Sequence, residues 1–301
     1  MLEFLKNWIA LFEGNAGKAL LGASVLMLAE CFLPQSRNSL ASRVRGGTFW
    51  VVYIAATAAA IIIFHKLWNW VGIKPLFQID LSALSKSGFP VLAAVGGVLA
   101  SLLVLQINDF FYYWFHRLQH SNKFLWRFHA EHHALEEVNA FNSAHHFTEE
   151  FFRIPFMAIP LSLLFSFKQG YVPWIWSLVI GWHAIFIHSS TRLNLGWLRY
   201  ALIDNRFHRI HHSKEHKHFD KNFGGTSAIW DILFGTAHYP KRDEWPDVGL
   251  DDMKQAANTR QFLFRAFRKR DGSLEDQREL PKGYEYSNQS APNHHAACSD
   301  H

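Results

Sequence analysis

Cysteine is almost missing from this chain. Its two copies, Cys31 and Cys298, are far apart and form no CxxC, which excludes a disulfide framework, a thiolate metal site and a cysteine-held iron–sulfur cluster. No GxGxxG occurs, so the chain carries no flavin or nicotinamide fingerprint of its own, and no HExxH, which removes the commonest helical zinc-protease signature. No signal-peptide pattern opens the sequence, so the first apolar segment is expected to be retained. Charge is modest as well. The excess of five positive charges suits an anionic leaflet at least as well as nucleic acid, and nothing else points to nucleic acid.

What is abundant is apolar and aromatic mass. Hydrophobic residues make up 49% of the 301 positions, with 12 Trp and 27 Phe, and they are concentrated before residue 190. Residues 49–64 and 89–107 contain no charged side chain and approach the ~20 residues that span a bilayer, so both read as transmembrane helices; the alternative is a buried core helix. A third candidate, 19–33, carries Glu30 near its end. Two more, 151–167 and 171–187, are separated only by Lys-Gln-Gly and read as a helical hairpin. These segments predict an all-α integral membrane bundle of four or five spans. Arg37, Arg43 and Arg45 precede the second span, and Arg117, Lys123 and Arg127 follow the third, so the positive-inside rule puts both loops in the cytoplasm. Lys66, Lys74 and Lys86 on the opposite loop make that bias shallow.

Fourteen of the 19 histidines fall between 116 and 218, in groups. Phe-His-x-x-His-His occurs twice, at 128–133 and at 207–212. On a helix the imidazoles of each copy, His129, His132 and His133 or His208, His211 and His212, project from one turn. Clustered neutral imidazoles pack poorly and repel when protonated, so the arrangement makes most sense around a cation. His116 and His120 are four residues apart, and Asp109 lies seven before His116 on the same stripe, where it is expected to orient a ligand imidazole. Asn122 is placed to cap the next helix. So many histidines exceed the needs of one tetrahedral site, and two metals are the simpler account. Imidazole suits iron, copper and zinc alike. The histidine helices are expected to form a cap at the cytoplasmic edge of the membrane.

His-Arg-Leu-Gln-His at 116–120, His-Ala-Glu-His-His at 129–133 and His-Arg-Ile-His-His at 208–212, together with 188–200 and 220–236, closely resemble the fatty acid hydroxylase/sterol desaturase superfamily over about 105–240. The resemblance implies three histidine boxes and a hairpin histidine, His188, holding two irons that activate O2 against a lipid C–H bond. His-Phe-Thr-Glu at 146–149 stands where the family often has His-Pro-x-Glu, which makes His146 and Glu149 further candidates; Phe147 replaces the proline. His183, five residues before His188, is read as a ligand or as a membrane-buried hydrogen bonder. His216 and His218 are read as solvated.

The same resemblance implies hydroxylation or desaturation of a sterol, fatty acyl or ether lipid taken from the bilayer. The two electrons must then come from an external NAD(P)H-linked partner, a ferredoxin or a small b-type cytochrome with its reductase. The competing readings are a membrane haem electron carrier and a metal transporter. Domain organisation is expected to be an N-terminal transmembrane region at 1–100, a catalytic domain at 101–240, and at 241–301 an amphipathic segment followed by a disordered polar tail. Residues 260–270 alternate aromatic and basic side chains, as a helix resting on the bilayer or an ordinary solvated helix end would.

Overall fold

The long helices occupy stretches with no proline inside them. α1 runs Leu2–Phe32, and α2 runs Leu40–Val71 from Ser39, whose side chain accepts the Ser42 N–H, to Gly72, left-handed at φ 68°. The structure, a computed structural model, describes residues 2–80, 90–168 and 181–268. Lys86, Phe89, most of the expected span at 171–187, and the tail with Cys298 lie outside the described residues. α3 is Pro90–Ser121 and α4 is Lys123–His133, entered through Asn122, whose side chain accepts the N–H groups of Phe124 and Leu125. Asp109, His116 and His120 therefore do share one helix, and the second box does follow a capped start.

The described part is mostly helical. Among its residues one helix, α2, is long and apolar enough to cross a membrane. α1 and the first half of α3 also expose apolar side chains, among them Leu20, Leu28, Val91, Leu92, Leu99 and Leu103. The arm expected at 151–167 is not one continuous helix. It breaks into α5 (Glu149–Arg153), a π-helical turn (Ile154–Ala158) and α6 (Ile159–Leu164). Pro155 and Pro160 lack the N–H that would continue an α-helical ladder, and the wider turn absorbs the mismatch. From Phe165 the chain is extended: β1 (Phe77–Asp80) pairs in parallel with β2 (Phe165–Lys168), a short exception to the all-α expectation.

The helices are tied together by buried charge rather than by one large apolar core. Glu30, 3% exposed, pairs with Arg43 at 2.5 Å and accepts the N–H groups of Ala140 and Ser190, both at 2.9 Å. One carboxylate thus fastens α1, α2, the loop after α4 and the segment before the third box. Glu30→Ala leaves two buried donors and a guanidinium without their acceptor, and is expected to cost about 3–5 kcal/mol, read as an early melting transition in detergent. A transition unchanged from wild type would refute that assignment. Gly46 lets α2 approach the same loop; a Cβ there would sit 2.2 Å from the Phe141 carbonyl oxygen.

α7 (Asn205–His211) carries the third box, and α8 is Ile229–Leu233. α9 (Thr259–Phe264) continues into a 3-10 turn, Arg265–Phe267. This last segment is not simply solvated. Phe262, 1% exposed, stacks on Phe49 of α2 with centroids 4.1 Å apart, and Arg265 clamps Glu131 of α4 at 2.5 and 2.8 Å. Every third or fourth residue faces inward there, a pattern that the alternating aromatic and basic side chains conceal. The described residues as far as Phe267 form one compact unit.

Candidate metal centre

Nine histidines converge in two adjoining nests. Nest one holds His116, His120, His129, His133 and His211, and nest two holds His132, His188, His208 and His212, with the donor atoms of each nest within 4.8 Å of one another. All but His120 are buried. The duplicated motif explains the division. In the first copy His129 and His133, one helical turn apart, serve nest one while His132 serves nest two. In the second copy His208 and His212 serve nest two while His211 serves nest one. The two helices face each other, with the His133 and His212 rings stacked 4.5 Å apart.

Proton bookkeeping shows why this arrangement fits a cation. A neutral imidazole carries one N–H, and a carbonyl oxygen can only accept. His116 Nδ1 donates to the Phe223 carbonyl at 2.8 Å, and His129 Nδ1 faces the Glu149 carboxylate at 3.4 Å, so both Nε2 atoms carry lone pairs. Those atoms lie 3.0 Å apart. His188 Nδ1 donates to the Ala184 carbonyl at 2.8 Å, and His132 Nδ1 faces the Ala144 carbonyl at 3.4 Å; their Nε2 atoms are 3.2 Å apart. In nest one His211 Nδ1 donates to Lys221 at 2.8 Å, and its Nε2 is buried with no hydrogen-bond partner. Bare lone pairs at this distance repel, whereas a cation bound at about 2.0–2.2 Å to each would hold them about 3 Å apart. Each nest therefore contains at least one close pair of Nε2 atoms that a bound cation would accommodate. Burial and the neighbouring imidazoles push His208 and His212 well below the usual imidazole range, and burial takes His211 down to about 3. All three are neutral at physiological pH, the form that binds metal.

Residues 101–236 match the family model for fatty acid hydroxylase. The segment belongs to the fatty acid hydroxylase superfamily. It is 30% identical over 131 residues to alkylglycerol monooxygenase of Homo sapiens, covering 42% of this chain and 28% of that protein. To ornithine lipid hydroxylase OlsE of Rhizobium tropici it is 33% identical over 99 residues, 33% of this chain and 29% of that protein. The chain thus spans less than a third of the length of these curated relatives. No solved structure matches.

Around the nests, the remaining candidates occupy distinct positions. Asp109 touches no imidazole in the described contacts. Its Oδ1 accepts the N–H groups of Gly225 and Thr226 at 3.0 and 2.9 Å, and its Oδ2 that of Ser227 at 3.0 Å. Asp231 accepts from Phe223 and Gly224, both at 2.8 Å. The two carboxylates hold the turn that presents the Phe223 carbonyl to His116. Asp109 therefore acts one step removed, a tie that crosses 116 positions and leaves no local signature in the sequence.

Of the adjacent pair at 145–146, the residue facing the centre is His145, not His146. The His145 ring stacks on His132 at 3.8 Å, and its Nδ1 lies 2.8 Å from Glu149. His146 Nδ1 bonds the Thr148 hydroxyl at 2.7 Å, its ring among Phe128, Phe262 and Phe267. His183 Nε2 donates to the Ile203 carbonyl at 2.8 Å, outside both nests, which is the hydrogen-bonding alternative. Neither spacing nor residue type separates His145 from His146; the turn before α5 decides. Burial opposes ionisation of Glu149, but the charge of His145, hydrogen bonds from His129 and His145, and Arg153 outweigh it and hold the carboxyl well below its usual range. Glu149→Gln keeps the shape and removes the charge that orients His129. Retention of metal against a chelator is expected to fall about 10–100-fold in that variant. Wild-type retention would show that Glu149 does not orient a ligand.

Proposed function

We propose that this protein is a membrane-bound, non-haem di-iron oxygenase that uses O2 and two external electrons to hydroxylate or desaturate a C–H bond of a lipid. The observation that carries the reading is the pair of adjoining nests, each with bare Nε2 atoms about 3 Å apart. In this reading His116, His120, His129, His133 and His211 hold one ion, and His132, His188, His208 and His212 the other. Two bound irons would supply the activation of O2. The chain's own groups do the rest. Backbone carbonyls fix imidazole tautomers, Glu149 orients His129 and His145, and the closed packing of α4 against α7 keeps bulk water out.

Lipid as substrate follows from the relatives' names, which refer to an alkylglycerol and an ornithine lipid, and from the exposed apolar faces of α1, α2 and α3. Four or five spans, with the nests at the cytoplasmic edge, remain the topology that the apolar segments and basic loops support. The catalytic domain is taken as 101–240, closed by the segment through Phe267 that clamps Glu131. A ferredoxin or small b-type cytochrome with its reductase would deliver the electrons from NAD(P)H. The test is iron per chain in detergent-purified protein, together with mass spectrometry of lipids from a deletion strain and its complemented parent. Two irons, and a product gaining one oxygen or losing two hydrogens, are expected. A Soret band without non-haem iron, or identical lipid profiles, would overturn the reading.

A further inference from the structure

Beyond the nests, the segment after the third box gathers a second kind of donor set. His218 ends a 3-10 turn, His216–His218, and its side chain is fully buried rather than solvated as the sequence suggested. Its Nδ1 lies 2.8 Å from the Ser213 hydroxyl, and its Nε2 3.2 Å from Glu244 Oε1. His238 Nε2 lies 3.7 Å from Glu244 Oε2, and the two rings are 4.8 Å apart. All three donors fall within 4.8 Å of one another.

The supports of these side chains are unusually complete. Asn222, left-handed at φ 61°, accepts the His238 N–H at 2.7 Å and donates to the His238 carbonyl at 2.9 Å, so the backbone of that histidine is clamped on both sides. Glu244 Oε2 accepts the Lys241 N–H at 2.9 Å, and the Ser213 hydroxyl oxygen accepts that of Glu215 at 3.0 Å. Zinc bound at about 2.0–2.1 Å in a tetrahedron sets its donors roughly 3.3 Å apart. The 3.2 Å from His218 Nε2 to Glu244 Oε1 is close to that value, and His238 Nε2 stands 3.7 Å from the other oxygen of the same carboxylate.

We propose that His218, His238 and Glu244 form a third divalent-metal site, suited by its two imidazoles and one carboxylate to Zn2+, separate from the two nests. It closes the base of the stretch between 218 and 244, which carries both the Phe223 carbonyl that fixes His116 and the backbone groups held by Asp109 and Asp231. Its role is structural: the ion fastens a loop on which the nests depend. The ammonium of Lys217 stands 3.0 Å from Glu244 Oε1 and 2.9 Å from Glu215. Its side chain is 57% exposed, free to swing away when a divalent ion competes for the carboxylate.

The experiment uses full-length, iron-loaded protein in detergent, without a polyhistidine tag. His294→Ala, His295→Ala and His301→Ala form a common background that removes the histidines of the tail. Zinc and iron per chain are measured after equilibrium dialysis against ZnCl2. The parent should hold one zinc more than its His238→Ala derivative, and added Zn2+ should raise the melting temperature of the parent alone. Equal zinc in the two proteins would mean that the three residues form only a hydrogen-bonded cluster and would overturn the proposal. Should the His238 variant fail to accumulate, Lys217→Ala provides the second test. Loss of an exposed competing cation should tighten Zn2+ binding about two- to fivefold, and an unchanged isotherm would overturn the proposal just as firmly. Iron is counted separately, so the failure of this site and of the di-iron reading are distinguishable.

Discussion

Alanine at His133 is expected to cost the protein its turnover and its bound metal together. His133 Nε2 lies 3.2 Å from His129 Nε2 within nest one, and its ring stacks on that of His212 from the opposing helix. Removal therefore deletes one donor and unseats another. The drop in turnover should be at least about 100-fold, the upper end of what even orienting groups around a metal cost. His212→Ala should do the same from the other side, since its Nε2 stands 3.2 Å from His208 Nε2 in nest two. His183→Ala, which loses only a bond to a backbone carbonyl, should keep its full metal complement. Metal per chain and turnover, measured on all three, decide the matter. Full metal and full activity in either the His133 or the His212 variant would mean that the repeated motif is packing.

The second large effect belongs to Asp109, which is 1% exposed. Asp109→Ala strands the N–H groups of Gly225, Thr226 and Ser227, while the Ser227 hydroxyl keeps Gln106 Oε1 at 2.9 Å. Each unsatisfied buried donor costs about 1–3 kcal/mol, so the variant should lose at least about 3 kcal/mol, a large part of an ordinary domain's stability. Gly225 itself lies tight against Tyr112, where a Cβ would come within 2.7 Å of the ring. Asp109→Asn retains one acceptor oxygen and should fold. Its Phe223 carbonyl should be less well placed, lowering metal retention about 10–100-fold at unchanged protein yield. Melting curves and chelator challenge on the two variants separate the stability effect from the positioning effect. An Asp109→Ala protein that melts with the wild type would refute both.

The sequence announced the donors but not their partition. Spacing of three and four residues identified His116, His120, His129, His132, His133, His208, His211 and His212, because helical periodicity is local and survives without knowledge of the fold. His188 came from resemblance, since one histidine has no spacing to read. Asn122 announced its helix by cap chemistry. What stayed hidden depends on contacts distant in the chain: Asp109 on the 225–227 turn, Arg265 on Glu131, Phe262 on Phe49. The break of the 151–167 arm was written in Pro155 and Pro160, but an apolar run masks it when hydropathy alone is weighed. The burial of His218 was invisible for the same reason as its partners, which lie 20 and 26 residues further on.

The reciprocal sharing of imidazoles has a consequence for how the centre loads. Neither the α4 helix nor the α7 helix belongs to a single nest, so in the proposed two-ion reading an ion entering one nest would order donors that the other nest needs. The second ion then meets helices already arranged and binds with a smaller entropic cost, which is positive cooperativity without any change of shape. Titration of metal-free protein should pass from none to two ions per chain with little of a one-ion species between. By the same coupling, a variant such as His133→Ala should shed both ions rather than one.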